Sequence, residues 1–165
     1  MVEAFNDKVL TGSKAERYAQ LTLEAEAALA GEPNQIARMA TVAAMLANTF
    51  EHYFWTGFYL VDPERQDELV VGPYQGTLGC LRIAFGRGVC GAAARTRRTQ
   101  VVPDVGAFPG HIACDSRSAS EIAVPVVDRD GRLIAVFDVD SAAPDAFDET
   151  DQTGLETLLR RVFAG

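Results

Sequence analysis

Apolar residues recur at helical spacing through two segments near the start of the chain, and then, from Tyr53 onward, fall into short aromatic and β-branched blocks. The first helical segment, residues 13–30, opens with Ser13 and Glu16 at the spacing of a capping box and is rich in Ala, Leu and Glu. Gly31 and Pro33 end it. The second, residues 34–50, keeps Ile36, Met39, Ala40, Ala43 and Leu46 on a helical period. Residues 53–61 then predict a strand, the polar run Asp62-Pro63-Glu64-Arg65-Gln66-Asp67 a turn, and residues 68–72 the returning strand of a hairpin. Further strands are predicted over 78–84, 99–102, 121–127 and 132–138, the last two joined by a tight turn at Asp128-Arg129-Asp130-Gly131. A short helix fits 89–97. A final helix begins at Asp148 and ends with Arg160 and Arg161, acids at its start and cations in its last turn, as the helix dipole favours. Two helices, a sheet with an embedded helix, and a closing helix predict an α+β fold with a central antiparallel sheet, in preference to a parallel βαβ array. No internal repeat or low-complexity tract interrupts it.

At 165 residues the chain is expected to be a single domain, with residues 1–50 supplying the N-terminal helices and residues 53–165 the sheet core and C-terminal helix. Its 48% hydrophobic and 23% charged residues are the balance of a globular protein. A net charge of −8 argues against nucleic acid and anionic membrane surfaces as partners, because both recruit clustered Lys and Arg. Arg95, Arg97 and Arg98 form the one compact basic group and read as a solvated helix end. Residues 1–10 carry Glu3 and Asp7 and no long apolar run, so neither an export signal nor a membrane span is expected there, and the cytoplasm is the expected compartment.

The strand faces carry the first chemical constraint. Period-2 alternation places Trp55, Gly57 and Tyr59 on one face of their strand, and a glycine between two large rings leaves a notch that suits a thioether or similar group, or else core packing. Asp138 and Asp140, at i and i+2, point to a common side; wherever they are not fully solvated, one is expected to hold its proton near neutral pH, or the pair to receive an ammonium group, and otherwise they are strand-end acids leading into a loop at Ser141. If the strand opened by Glu121 neighbours theirs, three acids converge.

Three cysteines, Cys80, Cys90 and Cys114, fall in one window, and an odd thiol count without an export signal points to redox or metal chemistry more than to a structural disulfide framework. Cys90 lies in Gly86-Arg87-Gly88-Val89-Cys90-Gly91, a glycine-rich turn entering a helix, where the dipole and Arg87 are expected to make it the best activated thiol. The turn completes neither phosphate-binding glycine pattern. Cys114 sits on a loop with His111 placed to favour its thiolate, and Cys80, after Gly79 at a strand start, reads as a small buried hydrophobe. A zinc site from Cys80, Cys90, His111 and Cys114 lacks the short CxxC knuckles of structural zinc, and no metal is expected.

Trp55-Thr56-Gly57-Phe58-Tyr59-Leu60, Gly86-Arg87-Gly88-Val89-Cys90-Gly91, Gly110-His111-Ile112-Ala113-Cys114-Asp115, Ser120-Glu121-Ile122 and Phe137-Asp138-Val139-Asp140-Ser141 resemble, in order and over nearly the whole chain, the signature blocks of the free methionine-(R)-sulfoxide reductases, which are GAF-fold enzymes. The departures, Phe54 and slightly longer turns at 62–68 and 128–132, are expected to leave the site untouched. The resemblance implies N- and C-terminal helices on one face of the sheet and active-site loops on the other. It further implies reduction of free methionine-(R)-sulfoxide, with Cys114 as nucleophile, Cys80 as first and Cys90 as second resolving thiol, and a proton from among Glu121, Asp138 and Asp140. Trp55 and Tyr59 would enclose the methyl sulfoxide end while the remaining carboxylates grip the ammonium. No cofactor is expected to be bound; electrons would come from thioredoxin, thioredoxin reductase and NADPH, and a homodimer is in keeping with the family. A non-catalytic GAF module that binds a small ligand or senses oxidants is the alternative.

Overall fold

The Ser13 hydroxyl accepts a hydrogen bond from the Glu16 backbone (3.2 Å) while the Glu16 carboxylate accepts one from the Ser13 backbone (2.8 Å), so the chain enters α1 (Lys14–Ala28) through the expected capping box. The Asn34 side chain caps α2 (Gln35–Thr49) by accepting from the Ala37 backbone (3.0 Å), without the reciprocal half of a box. This computed structural model describes residues 10–165, and the expectation for the first nine residues lies outside them. Strands β1 (Trp55–Val61), β2 (Glu68–Gln75) and β3 (Arg82–Ala84) follow, then α3 (Gly88–Thr96), β4 (Gln100–Val102), β5 (Ser120–Val127), β6 (Leu133–Ser141) and α4 (Glu149–Phe163). No helix among the described residues is long and apolar enough to cross a membrane.

The strands form one antiparallel sheet in the order β3-β2-β1-β6-β5-β4, which puts β5 beside β6, one of its two central strands, as the convergence of the acids required. One face carries Phe58, Ile122, Val124 and Phe137 against Leu21, Val42, Leu46 and Leu155 of α1, α2 and α4. The opposite face carries Trp55, Tyr59, Ala123 and Val136 against Val89, Cys90 and Ala93 of α3. Helices of the two chain ends therefore cover one side, and the glycine-rich turn and cysteine loops cover the other.

Three predicted strands change length: β6 runs on from its expected end at Asp138 to Ser141, and two others change for identifiable reasons. β2 continues past Gly72 and Pro73 to Gln75 because the register slips where Gly57 pairs with Tyr74 and Tyr59 with Val71, and this bulge accommodates a proline that has no N–H for the ladder. The strand expected over 78–84 shrinks to Arg82–Ala84. Residues 76–81 instead form a loop: Gly76 turns the chain at φ +126°, the Trp55 indole donates to the Thr77 carbonyl (2.9 Å), and Leu78 and Leu81 are left in solvent. Cys80 thus lies on a half-buried loop position, contrary to its expected place at a strand start as a buried hydrophobe.

Candidate active site

Register alone assembles the acids. Asp138 of β6 pairs with Gly57 on one side and Ala123 on the other, and Asp140 pairs with Trp55 and Glu121. Alternation then sends Glu121, Asp138 and Asp140 to the same face as Trp55 and Tyr59. Asp138 and Glu121 are buried, and Asp138 Oδ1 has no hydrogen-bond partner. From α3, Cys90 Sγ approaches Glu121 Oε1 at 3.8 Å. From the loop before β5, His111 Nε2 lies 3.4 Å from Glu121 Oε2.

Removal from water dominates the electrostatics of this cluster. Burial, reinforced by the charge of Asp140, pushes the Glu121 carboxyl up to about 8; burial and then Asp138 push Asp140 up to about 8, against a hydrogen bond from Ser118 and the proximity of His111. Asp138 is raised as well, by burial first and Glu121 second. The cluster therefore retains protons near neutral pH, as required of a proton donor. The same burial, followed by the three acids, pushes the Cys90 thiol well above its ordinary value. This overturns the expectation that Cys90 is the best activated thiol: a helix terminus and one exposed Arg87 do not offset desolvation next to carboxylates.

Cys80 and Cys114 are joined in a disulfide, their Cα atoms 5.5 Å apart, which brings the 76–81 loop against the loop before β5 over the mouth of the acid cluster. Cys90 is the free cysteine beneath them. The Cys₃His arrangement weighed for zinc does not assemble, because two of its sulfurs are bonded to each other and His111 turns to Glu121. The Thr77 hydroxyl also donates to Asp115 (2.8 Å), and Arg117 holds that carboxylate through two nitrogens (3.1 and 2.8 Å) while its guanidinium lies 4.5 Å from the Phe54 ring centre. Phe54, expected to stay clear of the site, thus supports the residue that braces the Cys114 loop.

The aromatic wall is built differently from the open notch expected at Gly57. Trp55 stacks between Tyr59 (5.5 Å) and Tyr74 (5.0 Å), and a Cβ at Gly57 would come 2.2 Å from the Tyr74 Cβ, so Tyr74 fills the space. Gly79 performs the analogous service for the Cys80 loop: a Cβ there would meet Trp55 Cζ2 at 2.9 Å and the Tyr59 hydroxyl at 3.0 Å. One cleft is lined by Trp55, Tyr59, Cys90, Cys114, Glu121, Asp138 and Asp140, all residues singled out in the sequence, together with His111 and Ser118. Cys80 stands at its mouth through the bond to Cys114. Tyr74, Ser118 and the pairing of His111 with Glu121 were missed; only the polar character of the loop holding His111 and Ser118 hinted at the last two.

The GAF domain family matches residues 32–162 of this chain. Among curated relatives, GAF domain-containing protein A of Dictyostelium discoideum is 49% identical over 153 residues, covering 93% of this chain and 94% of that protein. Free methionine-R-sulfoxide reductase of Escherichia coli (strain K12) is 41% identical over 150 residues, covering 91% and 88%. Among solved structures, free methionine-R-sulfoxide reductase from Neisseria meningitidis in complex with its substrate superposes with a TM-score of 0.88 at 46% identity, covering 94% of this chain and 91% of that one.

Proposed function

We propose that this chain, which belongs to the GAF domain family and within it to the free methionine-R-sulfoxide reductases, reduces the free amino acid methionine-(R)-sulfoxide to methionine. The observation that carries the proposal is a disulfide between Cys80 and Cys114 standing over the buried carboxyl groups of Glu121 and Asp138 and the half-buried one of Asp140.

In this account the Cys114 thiolate attacks the sulfoxide sulfur while a carboxyl of the Glu121, Asp138 and Asp140 cluster delivers a proton to the oxygen. The sulfur–oxygen bond breaks, methionine leaves with two more electrons on its sulfur, and Cys114 carries the hydroxyl as a sulfenic acid. Cys80 then attacks that sulfur, water departs, and the disulfide forms. Cys80 is the resolving thiol because it is already within bonding reach, whereas Cys90 is buried with its thiol pushed up and stands second. A thioredoxin-like dithiol, itself reduced from NADPH by its reductase, reopens the bond by exchange, so no bound cofactor is needed and a reducing cytoplasm suits the cycle.

Substrate selection follows from the same groups. An α-ammonium brought against Asp138 Oδ1, which is buried without a partner, would favour loss of a proton from the cluster and so acquire its counter-charge, whereas the uncharged amide nitrogen of a residue within a polypeptide would not. Trp55 and Tyr59 supply the apolar flank for the methyl sulfoxide end. The test is NADPH consumption coupled through thioredoxin, run with each epimer of free methionine sulfoxide. Turnover of the R epimer alone supports the proposal; silence with both epimers sinks it and leaves an oxidant-sensing thiol module.

A further inference from the structure

We propose that Cys90, Glu121 and Asp138 form a binding site for a borderline divalent transition-metal cation, represented by Zn²⁺, at the floor of the active-site cleft. The Cys90 sulfur and one carboxylate oxygen from each acid lie within 4.8 Å of one another, and all three residues are buried. Cys90 Sγ and Glu121 Oε1 are 3.8 Å apart, close to the edge of roughly 3.5 Å that a tetrahedral zinc with one sulfur and oxygen ligands would span.

Two independent features single this group out from an ordinary acidic cluster. Asp138 Oδ1 is fully buried with no hydrogen-bond partner, so a donor atom is already desolvated and unsatisfied. His111 Nε2 stands 3.4 Å from Glu121 Oε2, the oxygen that does not face Cys90, where it fixes the orientation of the carboxylate in the manner of an outer-shell partner. A thiolate among the ligands favours Zn²⁺ and its neighbours over Mg²⁺ or Ca²⁺, which prefer oxygen alone. The three residues line the same cleft as Trp55 and Cys114, the space left for a fourth ligand. Resting on the function proposed above, this cation takes the place of the substrate ammonium, so free Zn²⁺ is a competitive brake on turnover.

The oxidised protein makes the site easy to interrogate. The chain has three cysteines, and with Cys80 and Cys114 bonded the sole remaining thiol is Cys90. Untagged, oxidised protein titrated with Co²⁺ should bind one ion per chain and develop a near-ultraviolet thiolate-to-cobalt band. Equimolar Zn²⁺ should displace it, excess Mg²⁺ should not, and Cys90→Ala should abolish it. Absence of stoichiometric Co²⁺ binding, binding with no sulfur band, or a band that survives in Cys90→Ala would each overturn the site, and the first two outcomes need no variant to fold. Turnover of the R epimer in chelated buffer is measured separately, so a failed metal site leaves the reductase proposal standing, and a failed reductase assay leaves metal binding to be judged by the cobalt titration.

Discussion

His111 Nε2 reaches Glu121 Oε2 at 3.4 Å. A histidine three residues before the proposed nucleophile is thereby committed to a carboxylate, and the acids of this cleft are organised from three directions: by the sheet register, by α3 and by the loop before β5. The consequences of crowding them out of water are measurable.

Stability should fall as pH rises through the neutral range. Glu121 and Asp140 are pushed up to about 8 from ordinary values of 4.5 and 3.8, so between about pH 4 and 8 the unfolded chain releases protons that the folded one keeps. Folding binds more protons there and is weakened by each rise in pH. Asp140→Asn removes one of the interacting acids and should raise the thermal midpoint at pH 8, by about 2–4 °C for each kcal/mol relieved in a chain of this size, while leaving it near wild type at pH 4. Calorimetry across pH checks this; equal effects of the substitution at both pH values would refute it.

Acetylating the substrate nitrogen should cost at least about a hundredfold in kcat/KM, because stranding a buried carboxylate without its counter-charge is worth about 3–5 kcal/mol. Comparable rates on free and N-acetylated methionine-(R)-sulfoxide would show that the buried acids do not grip an ammonium.

Gly79→Ala should separate the two halves of the reaction. Its new Cβ would press on Trp55 and Tyr59, both stacked and unable to retreat cheaply, so the Cys80 loop must lift from the cleft. Release of the first methionine should stay near the wild-type rate, and closure of the disulfide should slow by about tenfold for each 1.4 kcal/mol of displacement. Rapid-quench measurement of methionine and of free thiols distinguishes the steps; an unchanged rate of thiol loss would contradict the packing argument.

Sequence pattern carried the framework far because it depends on local rules. The Ser13 and Glu16 capping box and the shared face of Trp55 and Tyr59 follow from residue order and strand periodicity. Convergence of Glu121 on Asp138 and Asp140 needs one further fact, that β5 lies beside β6, which residue order along the chain does not supply. What failed depended on partners distant in sequence. Cys90 has the local setting of an activated thiol, but burial against acids 31 and more residues away decides its protonation. Gly57 looks like an empty notch until the bulge in β2 delivers Tyr74 into it, and Cys80 looks like a strand residue until the Trp55 indole captures the Thr77 carbonyl and bends the chain into a loop. Phe54 gave no hint that Arg117 would settle on it.

The most direct test is a single turnover with a map of sulfur. Fully reduced protein is mixed with one equivalent of free methionine-(R)-sulfoxide, methionine is quantified, and the peptides are analysed for disulfides. One methionine per chain together with a Cys80–Cys114 bond, and a sulfenic acid trapped on Cys114 when Cys80→Ser is used, is the expected result. Formation of no methionine, or of methionine while Cys114 remains a free thiol, would contradict the account.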